Sequence, residues 1–441
     1  MRIVLKGFRV VDEETDMSGG VVIENGTISS VQPPDAKEEN AAFIIDGSRF
    51  AAGGLPVLMP AFVDLHAHCR DPGFPDKENL ESASLAAAAG GFGTVVCMAN
   101  TNPVIDSLEK AAAIKSRADA LGLVDLCPVL SLTRGMDGKE LSGLNALPSQ
   151  SKNSGLYIPL MLSEDGKDVT DDALFFAAMK EAKRIGIPVS CHCDFGGEEA
   201  EAAKNARQPR GVWSRMEENN ATVRAIALGR EAGCHIHIAH VSTKEAIETI
   251  CRAKEEARGA DNGFRLTCEV MPHNLCLTEE TAARLGDETW GRVNPPLRRE
   301  DDRKALIRAV TDGSIDAIAT DHAPHSDADK EGGAPGFSAF ETAFAAAFTE
   351  LVRGAADSAV DLKRLSSLMS ANPARLIGLK NRGRILPGMR ADLVIVDTER
   401  SWAVDPGTFK TRGKNSPFAG MELYGRVLMT MRGGRVVFTS Q

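Results

Sequence analysis

Two histidines close the first long apolar run of the chain, FVDLHAH. They are His66 and His68, separated by one residue. In an extended strand, side chains two residues apart point to the same side, so both imidazoles can face one metal ion. For the pair taken alone, two polar residues at a strand end without a metal are the alternative. Further ligands must therefore decide between the two interpretations.

Four more potential ligands also follow apolar runs. His192 ends VSCH, His240 ends HIHIAH, Asp321 ends DAIATD, and Asp165 follows YIPLML. Imidazole and carboxylate groups suit zinc and similar metals. The six candidate ligands are more than the roughly four that one tetrahedral ion takes. The set therefore predicts one or two Zn²⁺ ions, with a shared carboxylate if there are two. The predicted metal ligands are His66, His68, Asp165, His192, His240 and Asp321.

Three further histidines fit supporting roles. His235 and His237 precede His240 in its strand, and we interpret them as packing groups or as groups that orient a ligand. His273, in VMPHN, lies just past a later predicted strand and can line the pocket.

The elements that position these ligands lie in the middle of the chain, where apolar runs of strand length alternate with Ala-rich helical stretches. This alternation predicts a parallel sheet covered by helices. Eight such units in succession favour an α/β fold, a closed (β/α)8 TIM-type barrel whose strand C-terminal ends converge on one face. The alternative is an open doubly wound sheet, but no Gly-rich dinucleotide fingerprint follows the first strand.

The predicted barrel strands are Val57–Leu65, Thr94–Met98, Val124–Leu130, Tyr157–Leu162, Pro188–Cys191, His235–His240, Leu266–Val270 and Ile315–Ala319. The predicted helices include Leu80–Ala89, Ser107–Leu121, Asp172–Ile185, Thr222–Ala232 and Glu300–Thr311.

Both ends of the chain are rich in short β-type runs with Asn-Gly or Gly-Gly between them, which is a hairpin signal. We predict one small β domain from residues 1–55 and 386–441, with the barrel occupying residues 56–385. Two separate β appendages are the alternative. The polar, Gly-rich stretch Asp327–Gly336 predicts a mobile loop.

Composition narrows the class of protein. The net charge is −10 and no basic run stands out, which argues against nucleic acid or an anionic membrane as a partner. No apolar run reaches the ~18 residues of a membrane helix, and the start does not have the layout of a signal peptide. Nine scattered cysteines favour reduced thiols in a cytoplasm. Cys191 and Cys193 flank His192, so they point away from it and are interpreted as buried thiols.

Several motifs together resemble the dihydroorotases of the amidohydrolase superfamily, in particular the long bacterial type I form. The resemblance spans nearly the whole chain. It rests on PAFVDLHAHCRDPG, GGFGTVVCMANTNPVID, HIAHVSTKEA, RVNPPLR, ATDHAPH, NPARLIG and GRILPGMRADLVI.

The resemblance implies a function for the predicted site. The reaction is the reversible cyclisation of N-carbamoyl-L-aspartate to L-dihydroorotate, a step of pyrimidine biosynthesis, carried out by hydroxide on the metal. Asp321 would bind metal and shuttle the proton. Arg70, Asn100 and His325 would hold the substrate carboxylate, and Asn294 would touch the ring. A planar guanidinium suits this task because it can bind both carboxylate oxygens.

Three positions depart from the usual pattern. Many superfamily members bridge the metals with a carboxylated lysine, whereas Asp165 occupies the matching place here. Glu164 stands where an aspartate is common, and Glu164 and a modified Lys167 remain alternatives for the bridge. Ala99 replaces a proline that usually precedes Asn100.

Two other functions compete with this interpretation. One is another cyclic amidohydrolase, an allantoinase or a dihydropyrimidinase, which would share the metal site. The other is a non-catalytic, dihydroorotase-like partner of aspartate transcarbamoylase, which would bind no metal. The resemblance also suggests a homodimer, and an active enzyme could still associate with aspartate transcarbamoylase.

Overall fold

A computed structural model describes residues 1–34, 41–51, 53–147, 157–195, 197–206, 210–258, 262–354 and 359–440. The chain begins with five strands: β1 (Arg2–Val11), β2 (Asp16–Glu24), β3 (Thr27–Gln32), β4 (Phe43–Asp46) and β5 (Val57–Pro60). The turn between β2 and β3 is formed by Asn25 and Gly26, both with positive φ, as the Asn-Gly pair predicts.

Eight parallel strands follow in the described ranges and form a barrel. They are β6 (Phe62–Ala67), β7 (Phe92–Cys97), β8 (Asp125–Pro128), β9 (Leu162–Ser163), β10 (Val189–Cys191), β11 (His235–Ile238), β12 (Arg265–Val270) and β13 (Ala317–Ile318). Strands β6 to β8 form one hydrogen-bonded group and β9 to β13 another. Parallel bridges from Leu130 to Leu162 and from Ala67 to His322 join the two groups. The predicted TIM-type barrel is confirmed.

A buried carboxylate ties the first barrel strand to the segment after the last one. The Asp64 Oδ1 atom accepts from the Thr320 backbone N–H at 2.9 Å, and Oδ2 accepts from the Thr320 hydroxyl at 2.6 Å. Both residues are buried, so each polar group needs a partner within the protein. This contact fixes the segment that carries Asp321 against the strand that carries His66.

The chain ends with β14 (Leu393–Ala403), β15 (Glu422–Arg432) and β16 (Arg435–Thr439). They join the N-terminal strands in one sheet with the order β16-β15-β14-β5-β1-β2-β3, and β4 pairs with β1. The contact between the two ends is direct, because β14 pairs with β5. The domain limits given above stay a prediction.

The helices cover the barrel. They are α1 (Leu80–Ala89), α2 (Leu108–Leu121), α3 (Asp172–Ile185), α4 (Gly197–Asn205), α5 (Arg210–Ala232), α6 (Lys244–Glu256), α7 (Pro272–Cys276), α8 (Glu279–Leu285), α9 (Glu300–Thr311), α10 (Asp327–Glu331), α11 (Phe340–Phe348), α12 (Leu362–Ser366) and α13 (Asn372–Leu376). None of the helices in the described ranges is long and apolar enough to cross a membrane.

Several predicted strands differ from the observed ones in their bounds, and two of them need an explanation. The predicted strand Val57–Leu65 is two strands, because the Ala61 backbone N–H donates to Asp392 and the chain passes from the sheet to the barrel there. The predicted strand Tyr157–Leu162 shrinks to Leu162–Ser163. The Tyr157 side chain instead donates its hydroxyl hydrogen bond to the Pro128 carbonyl.

The stretch Asp327–Gly336 was expected to be a loop, and its first half is helix α10. Ser326 caps this helix through a capping box with Asp329. The Lys330 side chain is fully buried, and its ammonium donates at 2.9 Å to the carbonyls of Arg292, Ala334 and Gly336. The polar stretch that suggested a loop therefore contains a capped helix and a buried lysine that holds three carbonyl groups.

Candidate metal centre and its cavity

The two histidines of the HAH motif lie at the C-terminal end of β6. Both are buried. The His66 Nε2 atom lies 3.1 Å from Asp165 Oδ1 and 3.7 Å from Asp321 Oδ1. The His68 Nε2 atom lies 3.3 Å from Asp165 Oδ2 and 3.2 Å from Asp321 Oδ1. Their spacing of two therefore aims both rings at the same pair of carboxylates.

Asp165 lies at the centre of the cluster. Its Oδ1 atom is 3.2 Å from His192 Nδ1 and 3.6 Å from His240 Nε2, in addition to the contact with His66. Burial opposes ionisation of this carboxyl, but the charges of His66 and His192 outweigh it and hold its pKa well below the usual range. A single carboxylate thus faces imidazoles from both sides, as a shared ligand of two ions would.

The two alternatives to Asp165 point elsewhere. The Glu164 carboxylate accepts hydrogen bonds from the backbone N–H groups of Leu132 and Thr133, at 2.8 and 3.1 Å, and from the Thr133 hydroxyl. The Lys167 ammonium donates to the Met136 carbonyl at 2.8 Å. Both side chains are therefore held by the β8–α3 region, away from the imidazole cluster.

His192 and His240 come from neighbouring strands, β10 and β11. Their rings approach edge to face, with His192 Nδ1 2.8 Å from His240 Nε2. Burial opposes protonation of His192, but the Asp165 carboxylate outweighs it and raises its pKa to about 10. Without a metal the cluster therefore retains protons that metal binding would displace.

Asp321 follows the last barrel strand with a positive φ of 47°, a conformation that Asp adopts more readily than most residues. Burial raises its pKa, but the hydrogen bond with His68 and the nearby histidine charges prevail and lower it to about 2. Asp321 is thus ionised at neutral pH and can accept a proton.

The donor set fits a metal. His66, His68 and Asp321 place ligand atoms within 4.8 Å of one another, and so do His66, Asp165 and His240. The His66 Nε2 and Asp165 Oδ1 atoms are buried, yet neither forms a hydrogen bond with any part of the chain that the structure describes. Buried polar atoms of this kind call for a partner, and imidazole and carboxylate ligands suit zinc-type ions.

A cavity of about 200 Å³ opens beside the cluster. Of the ten predicted site residues, nine line it, and His66 lies beneath them. Those nine are His68, Arg70, Asn100, Asp165, His192, His240, Asn294, Asp321 and His325, with Gly166, Ala323, Pro335 and Gly336 completing the wall.

The Arg70 guanidinium lies in this wall. Its Nε atom donates to the Pro324 carbonyl at 3.2 Å, and Nη2 lies 3.2 Å from His325 Nε2. Among the described residues, no carboxylate lies within ion-pair distance of it. Burial, together with the charges of Arg70 and Lys77, lowers the pKa of His325 to about 3, so this ring is neutral. Of the residues that line the cavity, Arg70 therefore carries the positive charge on this side.

The two asparagines also contact site residues. The Asn100 Oδ1 atom lies 2.9 Å from His68 Nδ1, which directs the opposite ring nitrogen of His68 toward the carboxylates. The Asn294 amide donates to Asp194 at 3.2 Å. Asn100 therefore has a contact with a predicted ligand beyond its predicted role toward the substrate.

Two acidic residues of the site were missed by the sequence analysis. Asp194 Oδ2 lies 3.4 Å from His192 Nε2. Glu269 Oε1 lies 3.2 Å from His66 Nδ1, and its pKa is about 2 because the charges of His237 and His66 outweigh the effect of burial. Asp194 could have been found, since it follows His192 by two residues, and Glu269 is an acid inside the apolar run LTCEVM.

Two more histidines and two cysteines near the site are buried among structural contacts. The His322 Nδ1 atom accepts from the backbone N–H groups of Ala339 and Phe340, at 3.0 and 3.3 Å, so it supports the start of α11. His273 is buried against Phe337. Cys191 and Cys193 are buried free thiols, as predicted.

Comparison with known proteins defines the class. The model of the amidohydrolase family matches residues 57–437. The chain belongs to the amidohydrolase family, whose members are hydrolases.

Relatives that match over nearly their whole length include dihydroorotases, so the predicted resemblance is confirmed. The chain is 38% identical to the dihydroorotase of Clostridium botulinum, covering 99% of this chain and 100% of the relative. It is also 38% identical to that of Geobacillus kaustophilus, covering 95% and 94%.

Solved structures share the fold. The L-hydantoinase (dihydropyrimidinase) of Arthrobacter aurescens superimposes with a TM-score of 0.82 at 25% identity, covering 98% of this chain and 95% of that one. The dihydropyrimidinase of Brevibacillus agri gives a TM-score of 0.82 at 22% identity, covering 100% and 95%.

Proposed function

We propose that this protein is a dihydroorotase, which interconverts N-carbamoyl-L-aspartate and L-dihydroorotate in pyrimidine biosynthesis. The observation that carries the proposal is a guanidinium in the same cavity as the ligand cluster. Arg70 has no carboxylate counter-ion among the described residues, and the substrate supplies one. Together with the dihydroorotases that match this chain over nearly its full length, this favours an anionic cyclic amide as the substrate over the neutral cyclic amides of dihydropyrimidinases.

The six predicted ligands would hold one or two metal ions. His66, His68 and Asp321 would hold one, His192 and His240 the other, and Asp165 would be shared. A metal ion bound there activates water at neutral pH and polarises a carbonyl group. Zinc is the proposed metal because the donors are imidazoles and carboxylates.

Asp321 is the proposed proton carrier. In the hydrolytic direction, water attacks the ring amide carbonyl, and Asp321 accepts a proton from that water. It then delivers this proton to the ring nitrogen that leaves. In the synthetic direction, Asp321 takes the proton from the carbamoyl nitrogen and returns it to the departing oxygen. The Asp321 carboxylate is ionised at neutral pH, so it can accept the proton at the start of each cycle.

The cavity wall would orient the substrate. Arg70 binds the carboxylate through two N–H groups, which fixes the direction of the ring. His325 would bind the same carboxylate, and its ring nitrogen Nε2 lies 3.2 Å from Arg70 Nη2. Asn100 would reach the same carboxylate, and Asn294 would contact the ring. These roles rest on the positions of the side chains around one cavity.

Three further expectations come from the resemblance. A cytoplasmic location, a homodimer and an association with aspartate transcarbamoylase are proposed on that basis. Sedimentation of the purified protein alone, and then with aspartate transcarbamoylase, tests the two assemblies.

The decisive test is turnover of both compounds by purified protein, with metal content measured on the same sample. L-Dihydroorotate and N-carbamoyl-L-aspartate are compared with dihydrouracil, hydantoin and allantoin. We expect turnover of the first two in both directions, loss on chelation and recovery with Zn²⁺. Bound metal with turnover of dihydrouracil or hydantoin alone would replace the proposal with a dihydropyrimidinase. Protein that neither binds metal nor turns over any compound would favour the non-catalytic partner.

A further inference from the structure

A glutamate inside the barrel contacts a predicted metal ligand from behind. Glu269 lies on β12 and is fully buried, as is His66 on β6. The Glu269 Oε1 atom lies 3.2 Å from His66 Nδ1, the ring nitrogen opposite the one that faces Asp165 and Asp321. A carboxylate is costly to bury, and a barrel interior is usually filled by apolar side chains, so its presence there requires an explanation.

The contact determines which nitrogen of His66 carries the proton. Both Glu269 oxygens face ring nitrogens, and carboxylate oxygens accept hydrogen bonds, so the 3.2 Å contact fits a His66 ring that presents N–H at Nδ1. The lone pair of His66 is then on Nε2, the atom that faces Asp165 and has no hydrogen-bond partner among the described residues. Glu269 thus selects the one tautomer in which His66 can bind a metal at the cluster.

The glutamate is itself held from the other side. Its Oε2 atom lies 3.1 Å from His237 Nε2, and both residues are fully buried. His237 Nδ1 lies 2.9 Å from the Thr267 hydroxyl. The carboxylate therefore lies between two imidazoles, one that faces the cluster and one that does not.

The neighbouring ligand has a different support. His68 Nδ1 contacts the neutral amide oxygen of Asn100, whereas His66 contacts an anion. A negative charge on the N–H side makes the opposite nitrogen a stronger donor to a metal, more than a neutral amide does.

We propose that Glu269 is a positioning residue of the metal centre, which fixes the tautomer and orientation of His66 and strengthens its bond to the ion. This inference rests on the proposed function, because it needs a metal at the cluster. Glu269 touches neither the cavity nor the substrate-binding residues, so its effect passes through His66. A role in packing alone would change folding stability and leave metal affinity unchanged.

The experiment compares two matched substitutions. Glu269→Gln removes the charge behind His66 with little change in shape. Glu164→Gln removes another buried carboxylate, which is adjacent to Asp165 in sequence but bonded to Thr133 and Leu132. Zinc affinity is measured by competition with a coloured chelator. Visible absorption of the Co²⁺-loaded proteins reports ligand geometry without any assay of activity.

We expect Glu269→Gln to weaken metal binding by about 10- to 100-fold and to change the Co²⁺ spectrum. Glu164→Gln should stay close to wild type in both measurements. Wild-type affinity and an unchanged spectrum in Glu269→Gln would overturn the inference, as would equal losses in the two variants. If the unmodified protein binds no metal, the proposed function fails, which is a different result from a failure of Glu269 alone.

A second variant keeps the test decisive if Glu269→Gln does not fold. His237→Gln keeps Glu269 and removes the imidazole that lies 3.1 Å from its second oxygen. Because His237 orients Glu269, metal binding should weaken there too, by less than in Glu269→Gln. Metal affinity equal to wild type in His237→Gln would then overturn the inference.

Discussion

Two clusters of buried charge can be compared, and they use their carboxylates differently. The first is the ligand cluster around Asp165 and Asp321. The second, the junction cluster, consists of Asp125, Asp392, Arg382, Arg390 and Arg432, where the barrel meets the sheet. Arg382 and Arg390 contact one oxygen of Asp125, at 2.5 and 2.7 Å, and Arg432 contacts the other.

The pKa alone does not separate the two clusters. Burial opposes ionisation of Asp125, but Arg390, Arg382 and Arg432 outweigh it and lower its pKa to about 2, the same value as for Asp321. The difference lies in the partners. Both oxygens of Asp125 bind arginines, whereas Asp165 Oδ1 forms no hydrogen bond with any described residue. The two carboxylates therefore differ in their unmet hydrogen-bonding capacity more than in the shift of their pKa values.

The largest effect is expected from Asp321→Asn. The amide cannot accept a proton, so kcat should fall by about 10²- to 10⁴-fold in both directions. Asn also adopts a positive φ readily, so the fold should be retained. Steady-state kinetics and thermal unfolding of the same samples check this. Turnover within tenfold of wild type would remove Asp321 from the proton path.

Asp125→Asn, in the junction cluster, should lower the folding stability and leave the activity unchanged. Three arginines lose their shared counter-ion, and removing one member of a buried ion pair costs about 3 kcal/mol. We expect the free energy of unfolding to fall by that amount, while kcat and KM per folded molecule stay at wild-type values. Denaturant unfolding together with kinetics decides. A large fall in kcat at unchanged stability would show that the two clusters are not separate.

Arg70→Met tests whether the unpaired guanidinium serves the substrate. Loss of a charged, two-pronged contact costs about 2–3 kcal/mol, so kcat/KM should fall about 100-fold with unchanged folding stability. Arg382→Met is the matched control, because it removes an arginine from the junction cluster and should lower stability without changing kcat/KM. Equal kcat/KM in Arg70→Met and wild type would leave the cavity without a carboxylate-binding group.

The smallest effect concerns pH. The pKa of Asp125 is lowered from 3.8 to about 2 in the folded protein. Its ionised form therefore contributes to the free energy of unfolding above about pH 4, and this contribution is lost as the pH falls from about 4 to about 2. The difference in free energy of unfolding between wild type and Asp125→Asn should therefore shrink by about 1 kcal/mol from pH 6 to pH 3. A difference that grows toward low pH would mean that Asp125 is not held ionised by its arginines.

The sequence was sufficient where local chemistry decides the structure. Helices Leu80–Ala89, Asp172–Ile185 and Glu300–Thr311 have the predicted bounds. The first begins at an Asn79 capping box, and the second lies between an Asp171 cap and Gly186 in the left-handed region. The predicted site residues also share one cavity, because parallel strands end on one face of a barrel.

The features that the sequence did not predict depend largely on long-range contacts. Helix α5 begins at Arg210, well before the predicted start at Thr222. Its first half was not predicted, because that half is polar and lacks an apolar period. The strand that leaves the sheet at Ala61 does so through a contact with Asp392, which periodicity cannot reveal. Glu269 was missed because its partners, His66 and His237, come from other strands. Asp194 was missed although its spacing from His192 repeats that of His66 and His68.

The pairing of β5 with β14 has a consequence for synthesis on the ribosome. Strands β1 to β5 are made first, yet β5 gains its partner on one side only after the whole barrel has been translated. Until then β5 exposes unpaired backbone groups, which favour association with other chains. Nascent chains stopped before Leu393 should therefore depend on chaperones more strongly than chains released with β14 complete.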